Sequence, residues 1–536
     1  MDSNFLKYVL DNGGVLKRLE IPVSFSEGLG LCNPSIFIDG DDILVNVRRV
    51  NYMFHMSASH VWNTAFGPTN YHHPDNDVKL RTENYMCKID KNLNVIAGSV
   101  KHVDYSKFYT EPKWNFIGEE DVRIVRWNGK LYLTGCRRDT ETTGISRMEL
   151  TEVDENAVEI SRARVPAPFE NNSYCEKNWM PVIDEPYTYV KWCNPLQVVR
   201  YDPETGKTEE TLLKKYKIIS NDTLCDLRGS SQVIKVDGYR IAIVHEVNLW
   251  TNRYGEREAR YYTRFIVWDE GWNIVKLSDR FWFMDFPVEF TTGMTYMNGN
   301  FIIPFAVYDN AAFICAIGKN ALFSYIGLEC DKNDVFHDVG IEGGTDKLLL
   351  DYVMDIDSPE KMYSIGLEYF NRAQLAEAHA FFLHAAEKSV MNKDKYRKVG
   401  YDAFYMAQKC LEICGGRMEK AIKQYCELID WDSSRWEAYY ELSLMYYGGK
   451  ENRGDFYTAL GYASVARDRI SENMEFAEGY WDMYPIKNVV DRIMMQYYIC
   501  AYRCGKDYVA VEGLKRLLSN GCKDVKDYIK SLNLNL

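Results

Sequence analysis

The feature that most constrains this chain is a recurring two-residue turn flanked by runs of alternating apolar and polar residues. Val122-Arg-Ile-Val-Arg-Trp127 leads into Asn128-Gly129 and out through Lys130-Leu-Tyr-Leu-Thr134. Asn-Gly supplies the two left-handed residues of a type I′ turn, so this stretch is predicted to be a β-hairpin. Similar hairpins surround Asp39-Gly40, Asp237-Gly238 and Asn298-Gly299, and a weaker one runs from Met180 to Trp192 around Asp184-Glu185-Pro186. A second two-strand signal follows each: Glu83 to Ile96, Ile145 to Ile160, Gln197 to Leu212, Tyr261 to Leu277 and Ala312 to Ile326. Five four-stranded meanders in series predict an all-β five-bladed propeller over residues 1–335, with a pair of β-sandwiches as the alternative.

Beyond a linker at 336–357 the period changes. Gly366, Tyr369, Ala378, Phe382 and Ala385 fall at the spacing of a tetratricopeptide repeat, in which small residues let paired helices approach closely. Met406, Ala407, Ala421, Tyr425 and Leu428 repeat the pattern, as do Leu442, Ser443, Tyr446, Ala459, Ala463 and Ala466. Residues 486–519 read as a further helix pair. The second half, 358–536, is therefore expected to be an all-α tetratricopeptide-like solenoid that folds separately and binds a protein partner or sets self-association. An unrelated helical bundle is the alternative.

Composition narrows the function classes. A net charge of −13 argues against nucleic acid or an anionic membrane as the main partner. The fourteen cysteines include no Cys-x-x-Cys pair and no metal-ligand spacing, so no metal and no cofactor is expected. The first twelve residues carry no apolar run suited to a signal peptide, and no stretch is apolar enough to span a membrane. A reduced, cytoplasmic protein is expected. The 39 Tyr and 12 Trp suit a β-rich body, and also surfaces on which sugars stack.

In a propeller the first strand of each blade lines the central axis, so the residues that begin those strands converge at one end. Asn33-Pro34, Glu119-Glu-Asp121, Glu176-Lys-Asn178, Arg228-Gly-Ser-Ser231 and Glu289 to Thr292 occupy these positions. Where the inner hairpins leave lie Arg48-Arg49, Arg137 to Asp139, Asn194, His245-Glu246 and Asp309. Several Arg, a Lys, a His and at least four carboxylates suit a polyhydroxylated substrate that carries or meets an anion. The bland reading is that Glu119, Glu120, Asp139 and Glu176 neutralise the basic groups internally, and that His245 is a core histidine.

At these residues the chain resembles the five-bladed propellers of glycoside hydrolase family 130 and the related mannosyltransferases and phosphorylases. The matching segments are Asn33-Pro-Ser with Val47-Arg48, Glu120-Asp-Val-Arg123, Glu176-Lys-Asn178, Arg228-Gly-Ser-Ser231 with His245-Glu246, and Tyr308-Asp309. The resemblance implies Asp121 as general acid, and Asn33, Arg48, Asp309, His245 and Glu246 around the sugar. It also implies that Lys177 and an Arg from Arg137-Arg138 bind phosphate; Arg228, at the start of a neighbouring blade, is expected to join them in one phosphate or diphosphate patch. The implied chemistry is inverting, on a mannoside-like linkage. Phosphorylases of this group carry a phosphate-binding His downstream of the Lys; that region here reads Trp192-Cys-Asn-Pro-Leu-Gln197. Transfer from a sugar nucleotide in glycan assembly is therefore expected beside phosphorolysis. Hydrolysis and a non-catalytic glycan-binding scaffold are the alternatives.

Overall fold

The structure, a computed structural model, describes residues 3–21, 31–55, 67–68, 70–72, 79–169, 173–216, 227–251, 257–414, 418–448 and 454–531. Its N-terminal part is a five-bladed β-propeller and its C-terminal part is helical. Blade two shows the plan without interruption. Glu119–Trp127, Lys130–Arg137, Arg147–Val153 and Glu159–Val165 pair antiparallel in sequence order, with Asn128-Gly129 turning the first hairpin at positive φ. The innermost strands of the other blades are Leu31–Asp39, Met180–Pro181, Arg228–Gly229 and Glu289–Phe290.

Apolar side chains fill the wedges between neighbouring blades. Phe37, Leu44 and Met86 of blade one meet Val122, Ile124 and Leu133 of blade two. Val125 and Trp127, on the alternate face of the blade-two strand, meet Trp179 and Tyr189 of blade three. Strand alternation thus gives the inner strand of blade two apolar contacts on both faces, Val122 and Ile124 towards blade one and Val125 and Trp127 towards blade three.

Blade five departs from the expected meander. Ala311–Gly318 is its third strand, but Lys319–Ile326 is an α-helix rather than a strand. Ala321, Leu322, Phe323 and Ile326 are buried at helical spacing, and Gly327 ends the helix at left-handed φ. The fourth strand comes instead from the beginning of the chain: Val15–Arg18 pairs antiparallel with Phe313–Ala316. The ring is thereby closed by hydrogen bonds between its two ends.

The helical region contains the hairpins Pro359–Asn371 with Leu375–Val390, Arg397–Ile413 with Met418–Trp431, Glu437–Tyr447 with Phe456–Glu472, and Ile486–Arg503 with Asp507–Ser519. Within the stretch expected as a linker, Lys347–Met354 is a helix whose Tyr352 donates its hydroxyl to Met284 O. One buried cluster runs from Phe283 and Phe305 of the propeller through Tyr352 to Phe381, Tyr401 and Trp436 of the helices. The helical half, expected to fold separately, thus shares its core with blades four and five. A chain ending near residue 340 should aggregate and melt at lower temperature. Uncovering Phe286 alone, which packs on Phe381 and His384, forfeits about 1.5–3 kcal/mol. Size-exclusion chromatography with a thermal melt checks this; a monodisperse fragment of unchanged stability would contradict it.

Candidate functional site

Three inner strands begin with the same backbone device. Asn33 (φ 45°), Asp121 (φ 54°) and Asn178 (φ 62°) all lie in the left-handed region, which Asn and Asp tolerate better than other residues with a side chain. In blades one and two the device coincides with a bulge, between Cys32 and Ser35 and between Glu120 and Arg123. Such a bulge re-aims a side chain, and here it brings Asp121 against residues of blade one. Gly229 fills the corresponding place in blade four, where a Cβ would stand 2.2 Å from the carbonyl oxygen of Asn178.

Asp121 is buried at the centre of the resulting cluster. Its Oδ1 accepts from Asn33 Nδ2 at 2.7 Å and from Arg48 Nη1 at 3.0 Å. Arg48 also donates from Nε to Thr82 Oγ1 at 3.0 Å and from Nη2 to the Tyr52 hydroxyl at 3.3 Å. Tyr52 passes the chain on, donating to Asp309 Oδ2 at 3.0 Å. Beneath Asp121 lies Arg123, fully buried, which donates to Ser230 O at 2.9 Å, to Asn178 Oδ1 at 3.3 Å and to the backbone oxygen of Asp121.

This setting separates the two carboxyls. Burial alone would raise the Asp121 pKa, but Arg48, Lys177, Arg123 and the Asn33 hydrogen bond together hold it below the ordinary aspartate value. Burial raises Asp309 above its ordinary value; Arg48 opposes the shift and the charge on Asp121 adds to it. Asp121 is thus a carboxylate at neutral pH, and Asp309 is the more easily protonated partner. His245 is neutral, because burial and then Arg228, Lys177 and Arg123 push its pKa well below the usual range. Its Nδ1 is 2.8 Å from Ser230 Oγ, and its ring stacks on Tyr261 at 5.8 Å. The charges acting on Tyr261 are those of Lys177, Asp309, Asp121 and Arg228, which gathers all of these groups around one axial well.

The expected four-membered cationic patch divides. Arg137 is buried in an acidic setting, 3.6 Å from Glu149 and 3.8 Å from Asp139, and lies over the Tyr105 ring. Burial in the same pocket pushes Glu119 up to about 7. Arg138 donates to Gly144 O at 3.1 Å and stacks between Phe116 and Tyr174, at the rim. Glu176 is matched by Lys191 at 3.3 Å and by Trp179 Nε1 at 3.1 Å rather than by its neighbour Lys177. Lys177 and Arg228 therefore remain, among the described residues, with no carboxylate within 4.0 Å. Burial opposes the Lys177 charge, yet Asp121 and other nearby groups raise its pKa, so the ammonium persists. Glu246 faces away from the well: it is fully buried and paired with Arg264, because strand neighbours alternate faces.

Asn33, Arg48, Asp121, Lys177, Arg228, His245 and Asp309 converge, then, while Arg137 and Glu246 do not. Tyr52, Arg123, Asn178, Ser230 and Tyr261 belong to the constellation as well; Arg123, Asn178 and Ser230 lay in the expected segments without a role, and Tyr52 and Tyr261 were not expected there. The repeated Asn or Asp at the start of an inner strand was the available signal for Asn178. A cavity of about 720 Å³ lies elsewhere, at the outer rim near Arg18, Leu93, Gly344 and Arg372. Arg18 there pairs with Glu377 at 2.7 Å and Lys17 donates to the carbonyls of Asn92 and Glu342, so the lining is charge-matched. Among the described residues no group of three or more His, Cys, Asp or Glu could hold a metal ion, and no helix is long and apolar enough to cross a membrane.

No protein-family model matches the chain, and no curated protein matches it in sequence. Solved structures similar to it include a β-1,2-mannobiose phosphorylase from Listeria innocua, at 10% identity over 59% of this chain and 97% of that one, with a TM-score of 0.37. A mannose phosphorylase from Leishmania mexicana, in complex with phosphate ion, matches at 10% identity over 59% and 92%, TM-score 0.34. A GDP-Man-dependent mannosyltransferase from the same organism matches at 11% identity over 56% and 89%, TM-score 0.33. At such scores these likenesses assign no activity to the chain.

The Arg48–Asp121 pair is the electrostatic keystone of the well, and Arg48→Met should cost about 3–5 kcal/mol at neutral pH because Asp121 loses its main counter-ion. Both carboxyl pKa values should rise, since Arg48 lowers each. The stability deficit should shrink as pH falls and Asp121 takes up a proton. Denaturant titration across pH, with ¹³C carboxyl NMR, reads both effects; unshifted carboxyls would contradict the assignment.

Proposed function

We propose that the chain is a carbohydrate-active enzyme that acts with inversion on a mannoside-like linkage, by glycosyl transfer or phosphorolysis. The observation that carries this reading is a carboxylate pair, Asp121 and Asp309, beside two cations, Lys177 and Arg228, that have no carboxylate within 4.0 Å among the described residues. Cations so placed on a chain of net charge −13 suit a phosphate or diphosphate, with Arg228 as the forked donor and Lys177 as the point charge. Asp309, Tyr52 and Arg48 then face the sugar hydroxyls.

The ionised state of Asp121 suits the role of base in the synthetic direction. As a base it accepts the proton of an acceptor hydroxyl while that oxygen bonds to the anomeric carbon. The bond from that carbon to the phosphate oxygen breaks, and the leaving anion stays against Lys177 and Arg228. Phosphorolysis is the reverse: the bound anion offsets the Lys177 field, and Asp121 can then carry the proton to the glycosidic oxygen. One acid–base group suffices, because the anion is itself nucleophile or leaving group.

Small residues at the helix contacts support reading the C-terminal hairpins as tetratricopeptide-like. A Cβ on Gly366 would stand 2.6 Å from the Phe382 ring, and Ala378 and Ala385 are fully buried. Such repeats suit a protein partner, and the thirteen described cysteines, all free thiols, suit a reduced, cytoplasmic setting.

Calorimetric titration with phosphate, GDP and GDP-mannose tests the site. Binding of at least one is expected, weakened about tenfold or more by Lys177→Ala. No binding of any at millimolar concentration would overturn the anion site. In an active preparation Asp121→Asn should lower turnover by about 10²–10⁴-fold with ligand binding retained. Retention of most of the rate would remove Asp121 from the proton transfer.

A further inference from the structure

The turn that carries Asp309 is held from the helical side. Tyr308 and Asp309 lie at φ 52° and 50°, a left-handed pair that Asp tolerates but the bulky Tyr308 does not favour. Within the propeller, Tyr308 N–H donates to Val288 O and Asn310 N–H to Val307 O, both at 2.9 Å. The residues on either side of Asp309 then reach to a single helix, Leu375–Val390. The Tyr308 phenol donates to the Glu387 carboxylate. Asn310 Nδ2 donates to Ala376 O at 2.8 Å and lies 3.2 Å from His379 Nδ1.

The same helix is fastened to the propeller further along. Glu377 pairs with Arg18 at 2.7 Å, Lys388 pairs with Asp285, and the His384 ring stacks on Phe286 at 4.1 Å. Asp309 itself takes the opposite direction, to the Tyr52 hydroxyl in the axial well. Two polar attachments that bracket one functional residue are more than an apolar interface needs, and a strained backbone persists only where its surroundings over-determine it.

The geometry points to helix Leu375–Val390 as the outer support of the axial site, with Glu387 and Asn310 as positioning residues that keep the Asp309 turn in register with Arg48 and Asp121. The inference rests on the reading of Asp309 as a sugar-binding group. It makes the helical region a component of the site rather than an appendage to it. Burial pushes the Glu387 carboxyl up to about 8, so glutamine is a close mimic of the side chain as it stands at neutral pH.

The experiment uses the full chain, with Tyr308→Phe, Glu387→Leu and Glu387→Gln compared by amide hydrogen exchange and by separate titrations with mannose and with inorganic phosphate. Losing the buried bond in Tyr308→Phe or Glu387→Leu should speed exchange of the Tyr308 and Asn310 amides about tenfold or more, while Glu387→Gln stays near the unaltered chain. Mannose affinity should fall about tenfold in the first two variants and phosphate affinity should not change, because Lys177 and Arg228 belong to other blades. Unchanged exchange in both variants overturns the clamp. Faster exchange with unchanged mannose affinity, or a parallel loss of mannose and phosphate, overturns the positioning role and leaves a general packing contact. If the unaltered chain binds neither ligand, the functional reading of the well fails, and exchange alone then decides whether the helix holds the turn.

Discussion

Five twisted sheets can share an axis only if the polar backbone at the centre finds partners without water, and here much of that task falls to Gln232. From blade four its Nε2 donates to Ile36 O of blade one at 2.9 Å and to Ile124 O of blade two at 3.1 Å. Its Oε1 accepts from Met294 N of blade five at 3.2 Å. One fully buried amide therefore bonds three other blades at once. Arg123 does the same a layer nearer the site, tying blade two to the Asn178 and Ser230 positions of blades three and four. Above these two side chains the axis can be polar and charged, because its floor is already satisfied.

The chemistry of the well follows from its place on that floor. Charged groups removed from water interact strongly, so position fixes protonation state. Arg48 is shared between the carboxyls, but it touches Asp121 directly and reaches Asp309 through Tyr52. That difference in contact accompanies one carboxyl held low and the other high. Separation of this kind, within one site, is how a pair of similar acids acquires distinct tasks.

Much of the architecture was legible because turns and periods are local. Asn128-Gly129 and its relatives marked the inner hairpins, and the change from alternate to three-and-four spacing marked the helices. What was not legible depended on distant parts of the chain. No local pattern says that Val15–Arg18 completes blade five, and Ala321 to Ile326 reads as a strand until its burial at helical spacing is seen. At the site, Asn33, Arg48, Asp121 and Asp309 were found because they begin or end inner strands. Arg137 misled because its position fits equally a cation facing the axis and one sunk between blades beside Glu149. Tyr308 was quoted only as the neighbour of Asp309, since its partner Glu387 lies on a helix of the other half.

Closure of blade five by an N-terminal strand, Val15–Arg18, has a consequence for the order of events during synthesis. Val15–Arg18 leaves the ribosome before any blade exists, and its partner Phe313–Ala316 emerges only after all the others have been made. Until then the strand edge of blade five and the apolar side chains Val15 and Leu16 have no place to go, while blades two and three can already pair internally. The last propeller strand to be translated is thus the one that captures Val15–Arg18, and blade five cannot close until that strand has emerged.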